Sequence, residues 1–225
     1  MPATPAPSPA FAYLLLTLTV LFWSGNWVVG RWIRDDVPPI ALSFWRWAIA
    51  FACLLPWAWP HLRAQWRETL AHWKVLAMLG LFGGACHNAL TYTGLAHTTA
   101  TNGVMLNSSI PVMIIVLGIL FFGQRVTRLQ LAGVVISLFG VLAILSKGHP
   151  ETLAAFRFNA GDLIVLGSML LWALYTLMLK WRPEGIPPIA FLCVCGIVGV
   201  LAMTPVYAWD VATGAAISWS WPVVG

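Results

Sequence analysis

Apolar stretches of about 17–22 residues, long enough to cross a bilayer, recur along the chain between short polar breaks. They predict spans near Ala10–Gly30, Ile40–Trp59, Val75–Leu95, Thr101–Phe122, Leu129–Leu145, Leu163–Leu179 and Ile189–Trp209, with an eighth beginning at Trp219. The breaks carry turn and charge signals, such as Asp35-Asp36-Val37-Pro38-Pro39, Gly123-Gln124-Arg125 and Lys147-Gly148-His149-Pro150. Backbone groups in lipid must be paired within their own segment, so runs this long predict helices. Barrel strands would be near ten residues long and alternate in polarity. The expected class is therefore an all-α membrane protein, with about seven spans present in this chain.

Sliding the sequence by 149 residues lays the first two spans on the sixth and seventh without a gap. Trp23 falls on Trp172, Trp32 on Trp181, Pro38-Pro39-Ile40-Ala41 on Pro187-Pro188-Ile189-Ala190, and Pro56 on Pro205. Chance matches in apolar sequence produce scattered Leu pairs, not Pro-Pro-Ile-Ala with two tryptophans in register. Five spans per repeat is an odd number, so the second copy is expected to lie inverted with respect to the first, an arrangement that recurs in secondary transporters. The expected division is residues 1–149 for the first repeat and 150–225 for an incomplete second. Ten helices are expected in a full protein.

Composition narrows the class further. The chain is 60% hydrophobic and 8% charged, against about a quarter charged in soluble domains, so its solvent is mostly lipid. The net charge of +5 comes from scattered Lys and Arg with no basic stripe, which argues against a nucleic-acid partner. With the N-terminus cytoplasmic, the inner connections hold Arg63, Arg67, Lys74, Arg125, Arg128, Lys180 and Arg182, and the outer ones Arg31, Arg34, Lys147 and Arg157. That imbalance favours this orientation. Four cysteines, Cys53, Cys86, Cys193 and Cys195, all lie in apolar runs without metal or disulfide spacing. The Pro-rich first ten residues lack the basic start of a secretory signal, so the first apolar run is expected to remain as a span.

Polar side chains inside spans are costly, and the few present are candidates for function; interhelical hydrogen bonding is the plainer alternative for each. Arg46 lies eight residues past Pro38 with no acidic residue at matching depth, and Ser43, Arg46, Ala50 and Cys53 share a face expected to turn inward. Structural anchoring and binding of a solute carboxylate remain equally open for it. His87 is the one ordinarily titratable side chain near mid-membrane, within a thin stripe of Gly80, Gly84, His87, Thr91 and Gly94. Trp23 and Asn26 in the first span, with Trp172 and Tyr175 in the sixth, are expected to face a cavity between the repeats. Asn107 and Ser108 precede Pro111, which disrupts its helix and frees a carbonyl near Asn107. No metal site or other cofactor is expected. Nor is catalysis, since Gly-x-Ser-x-Gly, His-Glu-x-x-His and paired intramembrane aspartates are all missing.

Trp23-Ser24-Gly25-Asn26-Trp27, Pro38 with Arg46, Asn107-Ser108-Ser109-Ile110-Pro111 and Phe122-Gly123-Gln124-Arg125-Val126-Thr127 with Gly133 and Gly140 resemble the EamA-type repeat of the drug/metabolite transporter superfamily. The resemblance covers the first repeat and about half of the second. It implies ten helices with both termini inside, and export or exchange of small metabolites, often amino acids. The family usually carries Glu where Gln124 stands, which departs from the pattern. The expected protein is a bacterial inner-membrane, multi-pass transporter working by alternating access on a small-molecule substrate, as a monomer or weak homodimer in the lipid bilayer. Asp162 and Glu184 bracket the sixth span and no other acid lies within a span, so His87 alone is left to carry protons. Facilitated diffusion or exchange is therefore expected over proton coupling. A membrane-embedded enzyme and a non-transporting scaffold subunit are the competing readings.

Overall fold

The computed structural model describes residues 8–33, 35–146 and 159–218, and among them every regular element is helical. Helix α1 (Pro9–Trp32) opens on a Ser8 cap whose hydroxyl accepts the Phe11 N–H, and α2 (Pro39–Ala64) follows Pro38. Proline at a first helical position loses no hydrogen bond and presets the backbone angle. Two short helices, α3 (Trp66–Ala71) and α4 (Trp73–Leu79), lead into a wide π-helical turn over Gly80–Cys86, and α5 (His87–His97) completes the third span.

The fourth span is broken into α6 (Ala100–Asn107) and α7 (Ile110–Phe122) at Ser108 and Ser109, just before Pro111. There the two serine hydroxyls donate to the carbonyls of Met105 and Leu106. Gly123, at φ 60°, ends α7 in the left-handed conformation, which glycine adopts without steric cost. Helix α8 (Arg128–Ser146) begins at a reciprocal cap between Thr127 and Gln130, α9 (Ala160–Met178) at one between Asn159 and Asp162, and α10 (Pro188–Ala212) after Pro187.

Among the described residues, six helical stretches are long and apolar enough to span a bilayer: Pro9–Gly30, Pro39–Ala64, Trp73–His97, Thr101–Phe122, Ala160–Trp181 and Pro188–Ala212. The predicted fifth span is α8, apolar over Arg128–Gly140 and about 28 Å long at 1.5 Å per residue. The predicted start at Trp219 lies outside the described residues, as do Arg34, Lys147 and Arg157.

Helix α2 packs along α10, and the third span along α9, α10 and α2. Near one end Trp45 donates to the Tyr207 hydroxyl, and near the other Leu62 joins the cluster of Ile186 and Phe191. The two Pro-Pro-initiated helices therefore run antiparallel. The third span also opposes α9, since Thr98 bonds Asp162 at one end while Leu79 and Met178 share a cluster at the other. Ser218 bonds Asp36, and Gly185 faces Glu68. These contacts place the 35–38, 98–100 and 213–218 segments at one face of the bundle. The 65–72 and 182–187 segments lie at the opposite face.

Glycines set these distances. A Cβ on Gly94 would fall 2.5 Å from Val165 Cγ2 and 2.9 Å from the Gly161 carbonyl oxygen; one on Gly161 would lie 2.8 Å from the Gly94 oxygen. Backbone meets backbone there, as in small-residue membrane contacts. Helix α1, by contrast, is exposed along nearly its whole length.

Gly94→Ala and Gly161→Ala should each destabilise the purified protein by about 1–3 kcal/mol, the usual cost of overpacking. Gly133→Ala, with nothing near its would-be Cβ, should be neutral. Thermal unfolding in detergent checks the contrast; equal effects at all three positions would refute the backbone-contact reading.

Candidate functional site

Arg46 reaches from the first third of α2 into a ring of uncharged acceptors. Its Nη1 donates to Asn26 Oδ1 on α1 at 2.9 Å, its Nη2 donates to Asn88 Oδ1 on α5, and its guanidinium lies 5.6 Å from the centre of the Tyr92 ring. Tyr92 donates its hydroxyl to the same Asn26 oxygen at 2.7 Å. Asn88 in turn donates to the Gly84 carbonyl at 2.9 Å and the Gly83 carbonyl at 3.4 Å, so its side chain binds carbonyls of the widened π turn. Such turns recur at functional sites. Gly30 admits the Tyr92 ring, which a Cβ there would strike at 2.7 Å. One cation thus ties three helices together.

Among the described residues the guanidinium has no carboxylate partner. Arg46 Nε, Ser43 Oγ and Trp47 Nε1, neighbours on one stretch of α2, are buried without a protein hydrogen-bond partner among those residues. Native structures rarely leave buried polar groups unpaired, and each that is left so costs about 1–3 kcal/mol. Ser43 is fully buried, as the predicted inward face requires, but Cys53 is exposed. Phe51, not Cys53, meets Gly196 of α10.

His87, one residue before Asn88, points the other way, onto α9. Its Nδ1–H donates to the Ser168 carbonyl at 2.9 Å and its ring packs 4.8 Å from Trp172. Trp172 also packs at 5.1 Å on Tyr175 and edge-to-face at 5.8 Å on Trp23 of α1, the geometries that aromatic quadrupoles favour. Thr91 and Ser168 share a buried hydrogen bond of 2.8 Å. The predicted residues Trp23, Asn26, Arg46, His87, Trp172 and Tyr175 therefore gather where α1, α2, the third span and α9 meet. Asn26 and Arg46 form one contact group and Trp23, His87, Trp172 and Tyr175 another, joined through the adjacent His87 and Asn88, and Trp23 is more than half exposed.

Asn107 and Ser108 are not brought into that group. Asn107 ends α6, and Ser108 lines a separate groove between α7 and α8. Sequence reasoning also missed Asn88 and Tyr92, which stand at i and i+4 on one face, a step off the stripe containing His87. Asp162, expected to bracket the sixth span, is fully buried. It accepts from Thr98 Oγ1 at 2.5 Å, from the Asn102 amide and from the Asn159 N–H. Among the described residues no three His, Cys, Asp or Glu side chains gather as a metal site would require.

Residues 10–146 match the model of the EamA-like transporter family. The chain belongs to that family. It is 32% identical over 189 residues to an uncharacterized transporter of Archaeoglobus fulgidus, covering 80% of this chain and 62% of the relative. It is 26% identical to the uncharacterized transporter YyaM of Bacillus subtilis, covering 72% and 53%. It is also 26% identical to a probable terminal-alkyne amino-acid exporter of Streptantibioticus cattleyicolor, covering 88% and 65%. The chain thus spans less than two thirds of the length of each of these relatives. No solved structure matches it. Family membership, six apolar spans and relatives named as transporters make this a multi-pass membrane protein of a transporter family.

In this EamA-like chain the Arg46–Asn88 contact is charge-assisted and part-buried, a class worth about 1.5–3 kcal/mol. Arg46→Gln and Asn88→Ala should each lower thermal stability, and the double variant should fall short of the sum by at least about 0.5 kcal/mol. Strict additivity in a double-mutant unfolding cycle would show the contact to be energetically idle.

Proposed function

We propose that the protein carries a small carboxylate-bearing metabolite, such as an amino acid, across a bacterial inner membrane by export or exchange. The solute sits where α1, α2, the third span and α9 meet, its carboxylate on Arg46 and its apolar part against Trp23, His87, Trp172 and Tyr175. The observation that carries this reading is the uncompensated guanidinium beside unpartnered Ser43 and Trp47. An arginine held by amide oxygens alone keeps its full charge, and an incoming carboxylate supplies the missing counter-ion. A relative named as an amino-acid exporter supports the same solute class.

Alternating access follows from two halves related by an in-plane axis, residues 1–149 and 150–225, each built on the EamA pattern. The antiparallel course of α2 and α10, both opening on Pro-Pro-Ile-Ala, supports that inversion. The N-terminus is cytoplasmic in this reading, since Arg63, Arg67, Lys74, Arg125, Arg128, Lys180 and Arg182 all lie toward the Glu68 face. Movement is by facilitated diffusion or exchange. His87 holds its Nδ1–H on the Ser168 carbonyl and its ring against Trp172, Asp162 is tied into a helix cap, and neither is assigned a proton-carrying role in this reading. No catalytic step is part of the function.

Proteoliposomes test it. Labelled amino acids should exchange with unlabelled ones inside, and Arg46→Gln should slow exchange at least about tenfold, the loss of roughly one charge-assisted hydrogen bond. Amine analogues lacking the carboxylate should not compete. Undiminished exchange in Arg46→Gln would remove the site, whereas no exchange of any carboxylate by wild-type protein would remove the function. An imposed pH gradient should drive no accumulation in wild type; accumulation that vanishes in His87→Ala would make His87 the coupling group.

A further inference from the structure

Hydroxyls on the helices of this protein commonly find a partner on their own helix. Thr17, Thr19, Ser24, Thr91, Thr176 and Thr204 each donate to the carbonyl four residues back, at 2.8–2.9 Å. Ser43 departs from that habit: it is fully buried, yet its Oγ has no protein hydrogen-bond partner among the described residues. Three of the five buried side-chain atoms in that condition fall within residues 43–47, namely Ser43 Oγ, Arg46 Nε and Trp47 Nε1. Spacings of three and four put them on one side of α2. The arginine and indole nitrogens are donors only, so whatever completes them is an acceptor.

The π turn brings the indole and the guanidinium to one place. Trp47 Cε2, the ring carbon bonded to Nε1, would lie 3.7 Å from a Cβ on Gly84, and Cζ2 beside it 3.6 Å. The other edge of the ring meets α10, with Cε3 3.7 Å from a Cβ on Gly196. The N–H edge therefore turns toward Gly84. The Gly84 carbonyl accepts from the Asn88 amide, and Asn88 Oδ1 accepts from Arg46 Nη2. Arg46 and Trp47 thus approach the same turn of the third span. Nη1 and Nη2 each hold an amide oxygen, which leaves Nε–H as the unmatched nitrogen of the guanidinium.

We propose that Ser43 and Trp47 bind the solute directly, their Oγ–H and Nε1–H donating, with Arg46 Nε–H, to its carboxylate. The inference rests on the solute-binding reading of Arg46 and extends that site along α2. A carboxylate offers about four lone-pair sites and no proton, enough for three donors. It also brings the charge that the guanidinium lacks. A single water accepts from two donors at most and leaves the charge unmatched.

One test needs no transport. In protein carrying isotope-labelled tryptophan, Trp47→Phe assigns the Trp47 indole resonance by its disappearance. Sodium acetate should shift that N–H downfield and saturate, acetamide should not, and Arg46→Gln should remove the shift. Proteoliposomes supply the second test, with the amino acid that wild type exchanges fastest. Ser43→Ala and Trp47→Phe should each raise its half-saturating concentration about tenfold, the loss of one charge-assisted hydrogen bond. Trp45→Phe, whose indole already donates to Tyr207 at 3.1 Å, should leave it unchanged. Thermal unfolding separates binding from folding. Ser43→Ala removes an unmatched buried atom and should melt no lower than wild type, whereas Ser168→Ala breaks a buried bond to Thr91 and should melt lower. An unmoved Trp47 resonance, unchanged exchange in Ser43→Ala, or a melting loss in Ser43→Ala as large as in Ser168→Ala would each overturn the proposal while Arg46 kept its role. Wild-type protein that exchanges no amino acid yet shows the acetate shift upholds the contact and removes only the transport reading.

Discussion

The third span can sit against two other helices at once only because side chains are missing where it meets them. Gly80 faces the Val198 side chain and the Cys195 backbone of α10, Gly83 faces the Tyr175 ring, and Gly94 faces the start of α9. In lipid, helices gain little by hiding apolar surface from an apolar solvent, so close van der Waals contact and interhelical hydrogen bonds must hold them. The glycines supply the first and set up the second. They bring Thr91 within reach of Ser168 and His87 within reach of the Ser168 carbonyl. They also relax the helix into a π turn, whose carbonyls Asn88 then takes up.

That turn links packing to chemistry. Asn88 has its amide nitrogen committed to the Gly84 carbonyl, so its oxygen is presented to Arg46 in one orientation. Asn26 is fixed likewise, between Arg46 and the Tyr92 hydroxyl. The guanidinium is held by neutral dipoles and keeps its charge unspent. Helix α1, which otherwise packs on little, is joined to the bundle by this network and by Trp23 on Trp172. The tie between α1 and the rest is therefore polar, and it runs through the cation of α2.

Much of this was legible along the chain. Spans from Ile40, Val75, Thr101, Leu163 and Ile189 coincide with observed helices because a bilayer sets one length scale and forbids unpaired backbone. Polarity and the 149-residue register singled out Trp23 and Trp172, which pack together, and Asn26 and Arg46, which are hydrogen-bonded. Asn107 and Ser108 misled because a proline break in a span looks the same whether it borders a solute site or a peripheral groove. Asn88 and Tyr92 were overlooked because their function is relational: each matters only through the side chain it meets on another helix.

Sequence alone determined that the chain lives in lipid and that it is helical, and it raised the expectation of a repeat and of a few costly polar residues. Those conclusions rest on length, polarity and spacing, which are properties of one segment at a time. Only the tertiary structure decided which residues face one another. It widened the third span into a π turn, paired Arg46 with Asn26 and Asn88, buried Asp162 beneath Thr98 and Asn102, and parted α7 from α8 around a groove. Each of those outcomes depends on the rotation and separation of neighbouring helices, and these are set by where glycines let two backbones approach.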